Sequence, residues 1–325
     1  MVFKRLLGSL GVGGPTVDTV LDADAVLPGG RLTGQIRLSG GRSDVMVEQL
    51  ALELVAGVAS GDDGGPAETA VLDRFPVGGG FRLAEGERWS LSFEVTLPWE
   101  TPLTELHGQR LGVALGVRTE LVVAGARDRG DLDPLVVRPL PAQEAVLEAL
   151  GQLGCGFRSA GLEYGRLHGT GQRLPVRQEI ELTPPPRYTD RVDEIELTFL
   201  AESEGLDVIL EADRRSRSGE PDAIARFTAG HHDAGHRDWG AEVDSWLRRL
   251  TGSGTPGSAP DAYAHTDAHH GHHAHRSGPG AGTVVAAGAA GLAVGVAGGL
   301  IAAEVVDEIG DLIEGDEEEG AEEEG

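Results

Sequence analysis

From position 89 onward the chain alternates. Trp89, Leu91, Phe93, Val95, Leu97 and Trp99 take the odd positions, and Ser90, Ser92, Glu94, Thr96 and Pro98 the even ones. Successive side chains of a strand point to opposite faces, so a period of two with one apolar side predicts a half-buried strand with Trp89 and Trp99 in the core. After Pro98 and Pro102 break the pattern, Leu111, Val113, Leu115, Val117, Thr119, Leu121 and Val123 resume it. Two such runs in succession predict antiparallel β with one dry face. Upstream, Thr16 to Leu21 and the alternating Leu32, Gly34, Ile36 and Leu38 flank the turn Pro28-Gly29-Gly30 and predict a hairpin. The inward parity is odd at Val45 and Val47 but even at Leu50, Leu52, Leu54, Ala56 and Val58. One inserted residue, a β-bulge, accounts for the change. Val71 to Phe75 adds a short strand, and many short strands between Gly/Pro turns predict a sandwich.

The pattern stops between Ala124 and Pro141, where Asp128, Asp131 and Asp133 precede Pro134, Pro139 and Pro141; this reads as a linker with a solvated hinge. Val146, Leu147, Leu150 and Leu153 then recur at helical spacing over Glu144 to Leu153, with Gly154 as the stop. A second β run follows through Val176, Ile180 and Leu182, then Ile195, Leu197 and Phe199, then Leu206, Val208 and Leu210, and an amphipathic helix over Ala241 to Leu250 closes the globular part. The expected organisation is all-β: a first β-sandwich over 1–127, a linker over 128–141 and a second sandwich over 142–250. Beyond these lie a Gly/Ser/His-rich linker over 251–280, an apolar helix over 281–303 and an acidic tail over 304–325.

Charge narrows the function. Of 325 residues, 53 are acidic and 27 basic, a formal net charge of −26 that repels nucleic acid and anionic headgroups, so nucleic-acid binding is excluded as a general activity. Residues 304–325 alone carry 12 acidic side chains and no basic one. With Cys155 the one cysteine, no internal disulfide can form, and a cytoplasmic setting is expected. The short apolar run after Lys4 and Arg5 lacks a small-residue cleavage site and does not read as a signal peptide.

No residue pattern in the chain marks a catalytic centre or a cofactor site. His265, His269 and His272 are weak metal candidates in a His-rich stretch, but the absence of Cys and of fixed spacing favours a solvated linker with no metal. His231, His232, Asp233, His236 and Asp238 read as a surface loop, and Asp128, Asp131 and Asp133 lack the spacing of a calcium loop. Arg214, Arg215 and Arg217 form a basic patch that either pairs with nearby acids or docks an anionic partner. On a helix, Gly291, Gly295 and Gly299 line one groove where another backbone approaches closely. Three readings of 281–303 stay open: membrane association, a glycine zipper packed on protein including a second copy of the chain, and a flexible Gly/Ala linker. Val305, Val306, Ile309, Leu312 and Ile313 repeat at helical spacing in the acidic tail, as a docking stripe or a solvated tail.

The order of parts resembles a known family. Phe3-Lys4-Arg5-Leu6-Leu7, Val17-Asp18-Thr19-Val20-Leu21, Pro28-Gly29-Gly30 with Leu32-Thr33-Gly34, Leu97-Pro98, Asp133-Pro134-Leu135, Asp193-Glu194-Ile195-Glu196 and Glu211-Ala212-Asp213-Arg214-Arg215 together resemble the SpoOM sporulation-control family, bacterial relatives of arrestins. The resemblance covers residues 1–250. It implies an arrestin-like pair of β-sandwiches and a noncatalytic regulatory scaffold that meets protein partners near the envelope or division machinery. Composition rich in Ala, Gly, Val and Arg suits a high-GC, actinobacterial genome. The competing classes are a carbohydrate- or ligand-binding envelope module or enzyme, and a self-associating structural protein built on the glycine stripe.

Overall fold

Alternation and turn chemistry build the first body. The computed structural model describes residues 13–58, 68–124, 129–214 and 223–252. Strands β1 (Thr16–Leu21) and β2 (Arg31–Ser39) form the expected hairpin in continuous antiparallel register from Thr16↔Ser39 to Leu21↔Gly34. β3 (Val45–Val58), β4 (Glu68–Gly78) and β5 (Phe81–Leu83) precede β6 (Arg88–Thr96), which pairs with the free side of β2. At Gly34 a Cβ would fall 2.4 Å from the Val20 carbonyl oxygen and 2.8 Å from the Phe93 ring, so only glycine fits between these strands. A two-residue turn joins β7 (Glu105–Leu106) to β8 (Gln109–Arg110), and β9 (Leu115–Val123) and β10 (Arg129–Pro134) follow. The sheet β1-β2-β6 faces the sheet β10-β9-β3-β4, with β5 also paired to β3. Register between β3 and β9 shifts between Val47 and Gln49, the bulge that the parity change demands.

One seam of this sandwich is closed by polar contacts. The Thr19 and Thr119 hydroxyls meet at 2.6 Å in the core, and the Thr19 N–H donates to Asp131 at 2.6 Å. Asp131 is therefore a structural residue on a strand, not part of a solvated hinge. The expected linker over 128–141 shortens accordingly, because residues 129–134 pair with β9 along their length. The remaining stretch is extended but buried. Leu135, Val137 and Leu140 enter the core, Val26 donates to the Val136 carbonyl at 2.9 Å, and Thr104 donates to that of Val137 at 3.0 Å.

The second body is a sheet with helices. α1 (Pro141–Gln152) begins with Pro at its first turn, where no N–H is needed, and Gly154 ends it at φ 97°. β11 (Gly156–Tyr164), β12 (Val176–Thr183), β13 (Val192–Ala201), β14 (Gly205–Arg214) and β15 (Ala223–Gly230) form an antiparallel meander in sequence order. α2 (Trp239–Leu250), capped by Asp238, packs on β14 and β15, where Trp246 stacks on Phe227 at 4.6 Å and meets Trp239 edge-on at 6.3 Å. Where the sequence predicts a second sandwich, the described residues thus place two helices over one five-stranded sheet. The helices supply the apolar cover that a second sheet would give.

The bodies are pinned together. The Glu100 carboxylate accepts from the backbone N–H groups of Arg173 and Leu174 at 2.7 and 2.9 Å, and the Gln178 amide makes reciprocal bonds with Leu103 at 2.7 and 2.8 Å. Trp99 lies past its strand, half-buried against the core, and stacks on His231 at 5.2 Å. Trp89 is 40% exposed, stacked on Phe81 at 4.6 Å. β6 is an edge strand, which is why an alternating run leaves its first aromatic half outside.

Candidate functional site

Period-two patterning gives the second sheet two unlike faces. Ile180, Leu182, Ile195, Leu197, Val208 and Leu210 point toward the helices and are buried. On the opposite face, the register sets Glu181 directly across from Glu196, and Glu196 across from Glu211. Three carboxylates in a row over adjacent strands is a destabilising arrangement, since like charges face each other at close range. Glu179 on β12 and Glu163 on β11 extend the acidic face, and Glu163 pairs in register with Arg177. The Arg177 guanidinium reaches Glu163 at 2.9 Å and also contacts Glu179. Arg158 bonds Glu194 nearby, and Arg226 bonds Asp207 at the other end of the sheet.

The electrostatics follow. Burial pushes the Glu196 carboxyl from 4.5 up to about 7, and the charges of Glu179, Glu211 and Glu163 push in the same direction against Arg177. Glu179 rises from 4.5 to about 7, again chiefly through burial, with Glu163 adding to it and Arg177 opposing. Both groups therefore exchange protons near neutrality. Perturbed carboxyls of this kind concentrate at functional sites. The chain's one thiol does not serve this face: Cys155 is buried in the core and is held up at about 12 by burial. What the face can do is accept cationic side chains, whose charge would relieve the repulsion.

The sequence-predicted residues fall elsewhere. Arg214 ends β14, while Arg215 and Arg217 lie outside the described residues, as do His265, His269, His272, Gly291, Gly295 and Gly299. His231 belongs to the seam between the bodies, with a ring nitrogen 2.7 Å from the Glu202 carbonyl oxygen, and Asp233 accepts from the Gly230 N–H at 2.8 Å. Among the described residues no helix is long and apolar enough to cross a membrane; the segment 281–303 lies outside them. The acidic face was missed by sequence reasoning. Its signal was present in the polar halves of the alternating runs, Arg177/Glu179/Glu181, Glu194/Glu196 and Glu211/Asp213, but their alignment into one row needs the register.

A two-sheet sandwich joined by a buried extended segment to a second antiparallel sheet defines a mostly β protein of the arrestin-like class. The chain belongs to the SpoOM protein family, whose model matches residues 3–216. The sporulation-control protein spo0M of Bacillus subtilis (strain 168) is 36% identical over 217 residues, which is 66% of this chain and 81% of that protein. The crystal structure of Spo0M, sporulation control protein, from Bacillus subtilis superposes with a TM-score of 0.63 at 29% identity, covering 74% of this chain and 99% of that one. The chain is thus similar to a sporulation-control protein in both sequence and fold.

Proposed function

We infer that this chain acts in sporulation control as a noncatalytic regulator that holds basic protein partners on the acidic face of its second sheet. The observation that carries the reading is the row Glu181, Glu196 and Glu211, kept directly opposed although a neutral residue at any of the three would relieve repulsion. Proteins depart from local stability rules chiefly where function requires it. The free edge of β6 offers a second mode, strand addition, in which backbone hydrogen bonds supply affinity. The segment 281–303 would hold the protein at the cytoplasmic face of the membrane or join copies through Gly291, Gly295 and Gly299.

The test replaces Glu179, Glu181 and Glu196 together with Gln in the chromosomal gene and scores sporulation, with a photo-cross-linker at Thr183, two residues past Glu181 at the end of β12. The reading expects altered sporulation and a salt-sensitive cross-link to a basic protein, lost in the variant. Normal sporulation with an unchanged cross-link pattern refutes it. For the tail, full-length protein and a chain ending at Leu250 are fractionated with high-salt and alkaline washes. Retention of the full-length form alone supports the tether, and two soluble forms end it.

A further inference from the structure

A second cluster lies away from the acidic face, between the two bodies. His107 belongs to the turn from β7 to β8, and Glu144 and Glu148 are one helical turn apart on the outer face of α1. The His107 Nδ1 is 3.7 Å from a Glu144 oxygen and its Nε2 3.5 Å from a Glu148 oxygen. One ligand atom from each of the three residues can be chosen so that all lie within 4.8 Å of one another. We propose that His107, Glu144 and Glu148 bind one divalent first-row transition-metal ion, with zinc the best fit, and that the ion clamps the first body to helix α1.

The donor set is the first support. One imidazole and two carboxylates match zinc's preference for N and O ligands, and the three side chains leave a fourth position to water. Ligand atoms around zinc stand closer together than 4.8 Å, but these side chains are 43% to 48% exposed and free to close by rotation. The charge balance is the second. α1 contains no Lys or Arg, so its two carboxylates repel along one face, and among the described residues their ion-pair contacts are both with the single His107 ring. A neutral or singly charged imidazole shared by two carboxylates leaves negative charge for a dication to neutralise. Positioning is the third. His107 has φ 49° beside Gly108 at φ 78°, a left-handed pair that hairpin turns normally fill with Asn-Gly. Leu111 donates to Thr104 at 2.9 Å to close the hairpin, and the hairpin is rooted to the segment leading into α1: the Glu105 N–H donates to the Val137 carbonyl at 3.3 Å, and the Val137 N–H to the Thr104 hydroxyl at 2.9 Å. The ring is therefore held over the helix by backbone bonds that do not depend on the metal.

The experiment uses the full chain with His265, His269, His270, His272, His273 and His275 changed to Asn, so that the tail cannot compete for metal. Zinc chloride is titrated calorimetrically, and thermal melting is followed with and without zinc. The proposal expects one equivalent bound with a rise in Tm. His107→Asn keeps a residue that tolerates positive φ and should fold; with Glu148→Gln as a second variant, each should weaken binding at least about tenfold and remove the Tm rise. Equal zinc affinity and an equal Tm rise in both variants would overturn the proposal, as would no binding by the parent at millimolar zinc, which would leave the cluster an ion pair only.

Discussion

Changing Glu196 to Gln should stabilise this protein at high pH and leave it unaltered at low pH. The folded carboxyl titrates at about 7, against 4.5 without the protein around it. Below 4.5 both folded and unfolded states hold the proton, and the group has no effect on stability. Between 4.5 and about 7 the unfolded chain releases its proton while the folded one retains it, so stability falls as pH rises through this window. Above about 7 the loss is complete. At about 1.4 kcal/mol per pH unit the full gap corresponds to roughly 3 kcal/mol. Part of this is shared with Glu179, whose own rise also comes from the same crowded face, so about 1 to 2 kcal/mol is expected for one substitution. Gln has the shape of the protonated acid and removes the charge without opening a cavity. The assay is urea unfolding of parent and variant at pH 4.5 and pH 8.5 with m-values compared, because the difference between the two proteins cancels the pH response of every other group. A variant no more stable than its parent at pH 8.5, or equally stabilised at both pH values, would refute the electrostatic account of the acidic face.

Three further outcomes follow from the packing. Glu53 is 4% exposed and accepts two bonds from Arg118 at 2.7 and 2.9 Å, with Arg74 at 3.2 Å; Arg118→Met should cost about 2 to 3 kcal/mol, and Glu53→Leu on that background should recover most of it in the same urea assay. Trp246, 1% exposed between Phe227 and Trp239, fixes α2 to the sheet, so Trp246→Ala should cost about 3 to 5 kcal/mol, seen as a lower urea midpoint. The Cys155 thiol, raised to about 12 by burial, should not react with a disulfide reagent at pH 8 in the folded protein and should react fully in guanidinium.

Much of the β framework was legible because exposure alternates along a strand. The hairpin of β1 and β2, the bulge after Val47 and both helices follow from periodicity and turn residues that act locally. Trp89 shows where this stops. A period of two identifies the apolar side of a strand but not whether the strand is central, and at the sheet edge that side is covered by one neighbour only. Asp131 shows it again: an Asp/Pro-rich composition reads as a linker, yet the segment pairs with β9 and takes a bond from Thr19, 112 residues earlier in the chain.

The sequence by itself determined the fold class, the family resemblance, the presence and C-terminal stops of the two helices and the acidic bias, since each rests on short-range spacing or on summed composition; the helices begin earlier than their apolar spacing shows, at Pro141 and Trp239. Only the tertiary structure decided that the second sheet is covered by helices, that Glu181, Glu196 and Glu211 share one row, and that His107 meets Glu144 and Glu148. Each of these depends on strand register or on contacts distant along the chain. A two-residue slip would keep each strand's apolar face inward yet change which glutamates stand opposite one another, and alternation within a strand does not choose between such registers.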